Sequence, residues 1–414
     1  MNFNKKTLVV ALALALPWMG AQAQSNADLL RQIEALKAQL EALTAQVEAV
    51  RQQAAGGVNP QEFNRLVQKV DVAEETSIAS GFKGLKFKGV IDVTYLNDRN
   101  SATTGFGKTL GNGGYGAAFF EVAKESEDSV GWTLRLMPLS GTGNTVHEAS
   151  ISVPIGDSGS KLIAGLVPDF SGYEYSAGNQ NPLVTNNLAY ANAASNYTGI
   201  GMSYVLSKAW TAKWMLAQVD GLASRKAPGI VYRADYSASE FSGLGFSGVH
   251  FRTNTTATGG NADLLEVDAY HTRGDLTLQG QFSAGRLIAG GLDGLGGDAR
   301  WWGLSGLFGY KLTPTLQALA RFDYINNRKN GGGLYFHPFA AAGAELDNTG
   351  FAADPSKGAN LYALSFGVNY AVYSNTQWKT ELRFDRASGY NFIDSNGAFK
   401  KGNTTLGTSV VVSF

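Results

Sequence analysis

From Lys83 to Phe414 the side chains alternate with a period of two, in segments of about ten residues that recur to the last residue. Leu85, Phe87, Ile91, Val93 and Tyr95 alternate with Lys86, Lys88, Asp92 and Thr94, the spacing of a β-strand whose two faces meet different surroundings. Sixteen such segments are predicted, over approximately 85–97, 115–124, 130–138, 147–155, 161–168, 197–206, 209–218, 229–238, 243–253, 263–272, 275–285, 299–311, 314–325, 359–371, 376–387 and 404–414. The connections after odd-numbered segments are mostly long (98–114, 169–196, 326–358, 388–403). Those after even-numbered segments are tight, as at Ser207-Lys208, Arg273-Gly274 and Thr313-Pro314. An antiparallel barrel that crosses a membrane has this asymmetry, with short turns at one rim and long loops at the other.

One face of the clearer segments is apolar: Trp132, Leu134, Leu136; Ala149, Ile151, Val153, Ile155; Leu316, Ala318, Ala320, Phe322, Tyr324; Tyr362, Leu364, Phe366, Val368, Tyr370. On that face only Lys124, at a strand end, is charged, whereas the opposite faces of the same strands carry many charges. A soluble sandwich would turn its apolar side inward and fill the interior with it. Sixteen strands closed on themselves leave an aqueous hole, so the apolar face must point to lipid. Aromatic placement agrees: Trp132, Trp210, Trp378, Tyr310 and Tyr370 fall beside the tight turns, and Trp301 and Trp302 at the loop side, giving two girdles. Segments 5, 6, 9 and 12 alternate poorly, and a slip of one residue there would exchange the faces.

Composition narrows the function. Lys plus Arg (34) equals Asp plus Glu (34), so no basic surplus favours a nucleic-acid partner. The chain has no cysteine, which excludes disulfide scaffolds, thiolate metal sites and cysteine nucleophiles. Gly at 51 of 414 residues suits strand curvature and loops. His147, His250, His271 and His337 show no metal-ligand spacing, so no metal is expected. Gly245-Phe246-Ser247-Gly248 and Gly303-Leu304-Ser305-Gly306 fall short of a nucleophile elbow, and no phosphate-binding glycine loop occurs. Neither a catalytic residue nor a cofactor is expected. The glycine-rich stretch from Gly290 to Asp298 reads as a flexible loop tip, with a Ca²⁺ loop as the alternative.

Ahead of the strands the period is different. Lys5 and Lys6 precede an apolar run from Leu8 to Leu16, and Ala21-Gln22-Ala23 offers small residues for cleavage before Gln24, so 1–23 reads as a signal peptide. Leu29, Ile33, Leu36, Leu40, Leu43, Val47 and Val50 then repeat at 4, 3, 4, 3, 4, 3, an unbroken heptad seam that wants an identical partner. Residues 24–55 are expected to form a periplasmic coiled coil whose oligomer number the seam leaves open. Residues 56–82 read as a short helix and linker, with Asn59-Pro60-Gln61-Glu62 as its capped start, before the barrel at 83–414. The fold class expected is an all-β transmembrane barrel of about 16 antiparallel strands preceded by an α-helical coiled-coil segment.

The last strand, Leu406-Gly407-Thr408-Ser409-Val410-Val411-Val412-Ser413-Phe414, resembles the terminal signal by which barrel proteins of Gram-negative bacteria are recognised for outer-membrane assembly. Tyr310-Lys311-Leu312-Thr313 followed by Arg321-Phe322-Asp323-Tyr324-Ile325-Asn326-Asn327 looks like the strand, turn and strand of proteobacterial porins. His147-Glu148-Ala149-Ser150, Gly172-Tyr173-Glu174-Tyr175 and Asn179-Gln180-Asn181 resemble an uncharacterised porin family. A coiled coil ahead of a barrel is similar to the sucrose porin and the phosphate-selective porins. The resemblance implies a homotrimer in the outer membrane, contact with its lipid and lipopolysaccharide, delivery by the barrel-assembly machinery through Phe414, and passage of small hydrophilic solutes. It carries over no substrate, because the third outer loop has no lysine cluster.

In such a barrel the third outer loop, Asp169 to Asn196, folds inward. It holds Asp169, Tyr173, Glu174 and Tyr175 but no Lys or Arg. It reads as an acidic, aromatic constriction facing basic residues of the wall, or else as a loop lying over the rim or on a neighbouring subunit. Wall candidates from the polar faces are Lys86, Lys88, Arg135, Arg233, Asp235, Arg321, Asp323, Lys379, Arg383 and Asp385, with Asp92, Glu121, Glu148 and Glu381 as further acids. Arg233/Asp235, Arg321/Asp323 and Arg383/Asp385 stand two apart on one face. Such neighbours neutralise each other and more often brace a wall than bind a solute. The function expected is a passive, water-filled channel. The alternative is a structural outer-membrane protein tethering the envelope through its coiled coil, and an outer-membrane hydrolase is the least supported.

Overall fold

A computed structural model describes residues 84–414 apart from 101–103, 107–116, 126–128, 138–144, 176–177, 191–192, 195, 220–227, 253–259, 290–296 and 330–343. The signal peptide, the heptad seam from Leu29 to Val50 and the linker helix lie outside the described residues, as does most of the Gly290 to Asp298 stretch.

The barrel strands are β1 (Leu85–Asp98), β2 (Ala117–Lys124), β3 (Gly131–Leu136), β4 (Val146–Pro154), β5 (Lys161–Val167), β6 (Tyr197–Val205), β7 (Trp210–Val219) and β8 (Gly229–Ser239). They continue as β9 (Ser242–Arg252), β10 (Asn261–Arg273), β11 (Leu276–Leu287), β12 (Ala299–Thr313), β13 (Leu316–Lys329), β14 (Leu361–Tyr373), β15 (Thr376–Ala387) and β16 (Gly402–Ser413). Each pairs antiparallel with the next, and β16 returns to β1 with Val90 opposite Ser413 and Asp98 opposite Thr405, so the sheet closes. All sixteen strands expected from alternation are present, with ends displaced by no more than four residues. Closure leaves no edge strand with unpaired backbone groups, which a bilayer would not tolerate.

At the seam the terminal Phe414 exchanges two backbone hydrogen bonds with Gly89, at 2.7 and 2.9 Å. Its ring lies where a side chain at residue 89 would stand, 2.2 Å from an ideal Cβ, so only glycine leaves room. On the inner side Asp92 accepts from Thr94 at 2.8 Å and from Ser409, and Asp98 accepts from Asn403 at 3.0 Å and from Thr405.

The outer face is apolar: Phe87, Ile91, Phe120, Ile151, Ile200, Leu216, Phe246, Leu265, Phe282, Phe308, Phe322, Phe366, Phe384 and Val410 are all exposed on it. Eight charged side chains of β10, β13 and β15, Glu266, Asp268, Arg321, Asp323, Lys379, Glu381, Arg383 and Asp385, are buried on the other side. Tyr310, Tyr370, Trp210 and Trp378 are exposed at the turn side of the outer face as expected. The expected girdle pair at the loop side is divided, however. Trp302 packs outside against Phe282 and Tyr324, whereas Trp301 is buried inside among Met215, Val231, Val249, Phe251 and Leu264. Strict alternation allows one of two neighbours outside, and Trp301 takes the inner position because an apolar surface awaits it there.

That inner apolar surface explains the weak alternation of segments 5, 6, 9 and 12. Ile163 and Val167 on β5, Tyr197 on β6, Val249 and Phe251 on β9, and Ala299, Trp301 and Leu307 on β12 are apolar on the inner face as well as the outer one. They form seats for the third outer loop, the 168–196 connection between β5 and β6.

Candidate functional site

The 168–196 loop turns into the barrel interior and lies along the inner wall from β7 to β16. Three apolar contacts hold it. Phe170 and Ala194 join the Met215, Val231 and Trp301 cluster; Leu183 sits against Leu307 and Leu319; Leu188 and Ala189 pack on Ile325, Leu361, Ala363 and Ala387. Full burial of a Leu or Val side chain contributes about 1.5–3 kcal/mol, so each seat favours docking by an amount of that order. Between them the loop and the wall share a dry polar network.

Arg321 is its centre, with a fully buried side chain. It bonds Glu174 of the loop at 2.9 Å, Asp323 on its own strand at 2.9 Å, and the Thr185 and Asn186 carbonyls at 2.7 and 3.0 Å. Glu174 also accepts from the Asn187 backbone N–H at 2.6 Å. Glu381 accepts from the Thr185 backbone N–H at 2.7 Å and its hydroxyl at 2.9 Å. Arg383 bonds Asp385 at 2.8 Å, Thr185 Oγ1 at 3.1 Å and the Asn186 carbonyl at 2.9 Å. Lys379 donates to the Gly178 carbonyl at 2.8 Å and to that of Asn181. Buried charges persist only when paired and hydrogen-bonded, and this network meets both conditions for Arg321.

The four loop residues singled out in the sequence have separate environments. Tyr173 is buried, its hydroxyl 2.6 Å from Ser305 Oγ, and burial pushes the phenol well above its ordinary range. Glu174 is buried against Arg321; desolvation, partly opposed by that guanidinium, pushes its carboxyl up to about 7. Asp169 bonds Tyr197 and Ser171, and desolvation reinforced by the Glu266 carboxylate pushes it up to about 7. Tyr175 alone stands out, 52% exposed, while its backbone is clamped by Asn181 at 2.8 Å. Glu174, expected to face basic residues of the wall, touches one of them, Arg321, directly, since a buried carboxylate held at a distance would lack compensation.

The remaining wall candidates also face inward but the loop does not cover them all. Lys88, its side chain 48% exposed, reaches Glu121 at 3.1 Å, and Arg135 bonds the same carboxylate at 2.8 Å with Glu148 at 3.8 Å. Lys86 pairs with Glu125 at the turn-side mouth. Arg233 bonds Asp235 at 2.7 Å and Asp268 at 2.7 and 2.9 Å. Its reach from β8 to β10 passes over β9 at Gly245, where an ideal Cβ would meet the guanidinium at 2.0 Å.

Sequence reasoning did not find Thr185, Asn181, Asn187, Gln281, Ser305, Glu266 or Asp268 as parts of the site. Thr185 and the asparagines sit in a loop without periodicity, and the partners of Arg233 and Tyr173 lie across strands, so no local spacing announces them. Lys213, with its ammonium 4.2 Å from the Phe170 ring centre, was equally silent.

A closed sixteen-stranded sheet, apolar outside and charged inside, with one long loop folded into it, defines the porin class of outer-membrane barrels. The chain belongs to the family described as "Putative beta-barrel porin-2, OmpL-like", whose model matches residues 84–414. No curated protein matches it in sequence. Among solved structures it is similar to an anion-selective porin from Comamonas acidovorans at 11% identity, TM-score 0.56, covering 80% of this chain and 99% of that one. It is similar to the outer-membrane channel DcaP of Acinetobacter baumannii at 10% identity, TM-score 0.53, covering 80% and 97%. The outer-membrane protein OmpT of Vibrio cholerae gives 11% identity, TM-score 0.51, and 80% and 97%. At these identities the likeness is one of fold.

Proposed function

We propose that this porin is a passive, water-filled channel for small hydrophilic solutes. Its 168–196 loop forms the constriction, and its water-contacting wall includes Lys86, Lys88, Arg135 and Asp235, while Arg233 is tied to the loop at the Phe170 carbonyl, 3.1 Å away. The observation that carries the reading is the division of the interior: the loop and the wall of Arg321, Asp323, Lys379, Arg383 and Asp385 are fused into one dry body, while Lys88, on β1 beyond that body, remains half exposed. Solute therefore passes between the loop's Tyr175 edge and the wall that carries Lys88 and Arg135. Cations and carboxylates alternate along it, Lys88 and Arg135 with Glu121 and Glu148, Arg233 with Asp235 and Asp268, so selectivity between small ions is weak. The channel carries out no catalysis.

Three barrels assemble through the sector of β4 and β5. Aromatic residues lie on most of the other strands, whereas these two adjacent strands contain none and turn Ala149, Ile151, Val153, Leu162, Ala164 and Leu166 outward. A surface without interfacial anchors suits contact with another subunit better than contact with headgroups. The heptad seam from Leu29 to Val50 supports the same association on the periplasmic side, after removal of 1–23.

Purified protein in planar bilayers is expected to give stepwise currents in groups of three and a small reversal potential in a salt gradient. Absence of steps rejects the channel, and a strong ion preference rejects the balanced wall. Deleting 24–82 is expected to lower trimer yield while leaving the unit conductance unchanged; altered envelope attachment with unchanged trimers would favour the tethering role.

A further inference from the structure

On the outer surface, five consecutive strands carry ionisable side chains in one register. His250 on β9 stands opposite Asp263 on β10, Asp263 opposite Arg286 on β11, Arg286 opposite Arg300 on β12, and Arg300 opposite Lys329 on β13. The same faces carry Phe246, Leu265, Phe282 and Leu304, all exposed, so the row points away from the lumen. It lies at the loop ends of the strands. Just beneath it runs an aromatic belt: Tyr232 packs on Phe246 and His250, and Trp302 packs on Phe282 and Tyr324. Aromatic belts mark the level where acyl chains give way to headgroups. Arg300 is two residues beyond Trp302, or roughly 7 Å at 3.3 Å per residue, which sets the row among the headgroups.

The charges in the row are unbalanced. Asp263 bonds Arg286 at 2.6 Å and His250 at 2.8 Å, and Asp298 bonds Arg300 at 3.2 Å. Two carboxylates thus face three adjacent cations, Arg286, Arg300 and Lys329. Like charges directly opposite one another destabilise a sheet unless an anion lies between them. The Arg300 side chain is 56% exposed and Lys329 is exposed beside it, both open to the headgroup layer.

We propose that Arg286, Arg300 and Lys329 form a binding site for the phosphate groups of an outer-leaflet lipid with a phosphorylated sugar headgroup, its acyl chains lying on the belt of Phe282, Trp302 and Tyr324. The site rests on the reading of the barrel as an outer-membrane protein with its long loops outward. It does not depend on solute passage. Arg300 and Lys329 grip the phosphate as a pair, while Arg286, already fixed by Asp263, supplies a third donor at its edge. The Asp263–His250–Tyr232 chain, closed at 3.2 Å between Tyr232 Oη and His250 Nε2, braces that edge.

The test uses the full barrel in detergent and reads the shift in melting temperature on titration with lipid A, with dephosphorylated lipid A, and with inorganic phosphate. Lipid A alone is expected to raise the melting temperature, and the double variant R300Q/K329Q to bind it roughly thirtyfold more weakly, from the loss of two cations at a headgroup. R386Q, which removes a cation on β15 outside the row, is expected to bind as the native protein does. Equal shifts with dephosphorylated lipid A or with inorganic phosphate would overturn the proposal, as would native affinity in the double variant. Bilayer conductance of the same samples separates the two readings: steps without a lipid shift reject the site and leave the channel, and a lipid shift without steps does the reverse.

Discussion

Two sectors of the inner wall carry the same kinds of side chain and use them differently. In the sector of β12 to β16, Arg321, Arg383 and Lys379 are sealed beneath the loop and bonded to its carbonyls, its Glu174 and the wall acids. In the sector of β1 to β4, Lys88 and Arg135 share Glu121 and keep contact with water. Burial makes the first set a structural joint, where removing one partner strands the others in a medium of low polarity. Exposure makes the second a set of charges that a passing ion can feel. An arginine on the inside of a barrel is therefore a solute contact or a rivet according to what lies over it.

Substitutions should separate the sectors. The largest effect is expected from Arg321→Met, which leaves Glu174, Asp323 and Glu381 without their common cation: a loss of about 3–5 kcal/mol in loop docking. It should be read as a lower melting temperature together with larger, noisier single-channel currents. If conductance and melting are unchanged, the covered sector is not a joint. Next, Thr185→Ala removes a hydroxyl that donates to Glu381 and accepts from both Arg321 and Arg383. A cost of about 1–3 kcal/mol follows from the unsatisfied partners, seen as faster proteolysis within 168–196.

A smaller effect comes from pH. Asp169 and Glu174 have carboxyls at about 7 in the docked loop against ordinary values of 3.8 and 4.5. The docked loop binds these protons more tightly than a released loop, so docking is fully favoured below about pH 4 and weakens as pH rises through 7. Conductance should accordingly fall on going from pH 8 to pH 5, and Asp169→Asn should flatten that dependence; an opposite slope would contradict the assignment. Least of all in stability, Lys88→Gln in the exposed sector should change the melting point by less than about 1 kcal/mol's equivalent. It should still move the reversal potential toward cation preference. A shift in melting without one in selectivity would erase the distinction between the sectors.

Much of this was legible before the fold was known, and the reasons are local. Strand alternation is a property of neighbouring residues, so the inward direction of Arg321, Asp323, Arg383 and Asp385 could be read from parity, and the pairing of each Arg with the Asp two residues on follows from the same parity. Trp301 shows the limit of that reading: beside Trp302 it looked like half of a girdle, and only the apolar seat among Met215, Val231 and Val249 explains why it turns inward. Segments 5, 6, 9 and 12, which looked like flawed strands, carry inner apolar residues that help seat Phe170, Ala194 and Leu183 of the loop.

The sequence by itself determined a closed barrel of about sixteen strands, its lipid-facing surface, and the stock of charges inside, because each depends on spacing along the chain; the exact count and register came with the closed sheet. Only the tertiary structure decided which of those charges meet water. That outcome depends on the docking of 168–196, whose central contact joins Glu174 to Arg321 across 147 residues. No periodicity spans such a distance: the partners are chosen by apolar seats and by the requirement that every buried charge find a counter-charge, conditions that exist only once the barrel has closed around the loop.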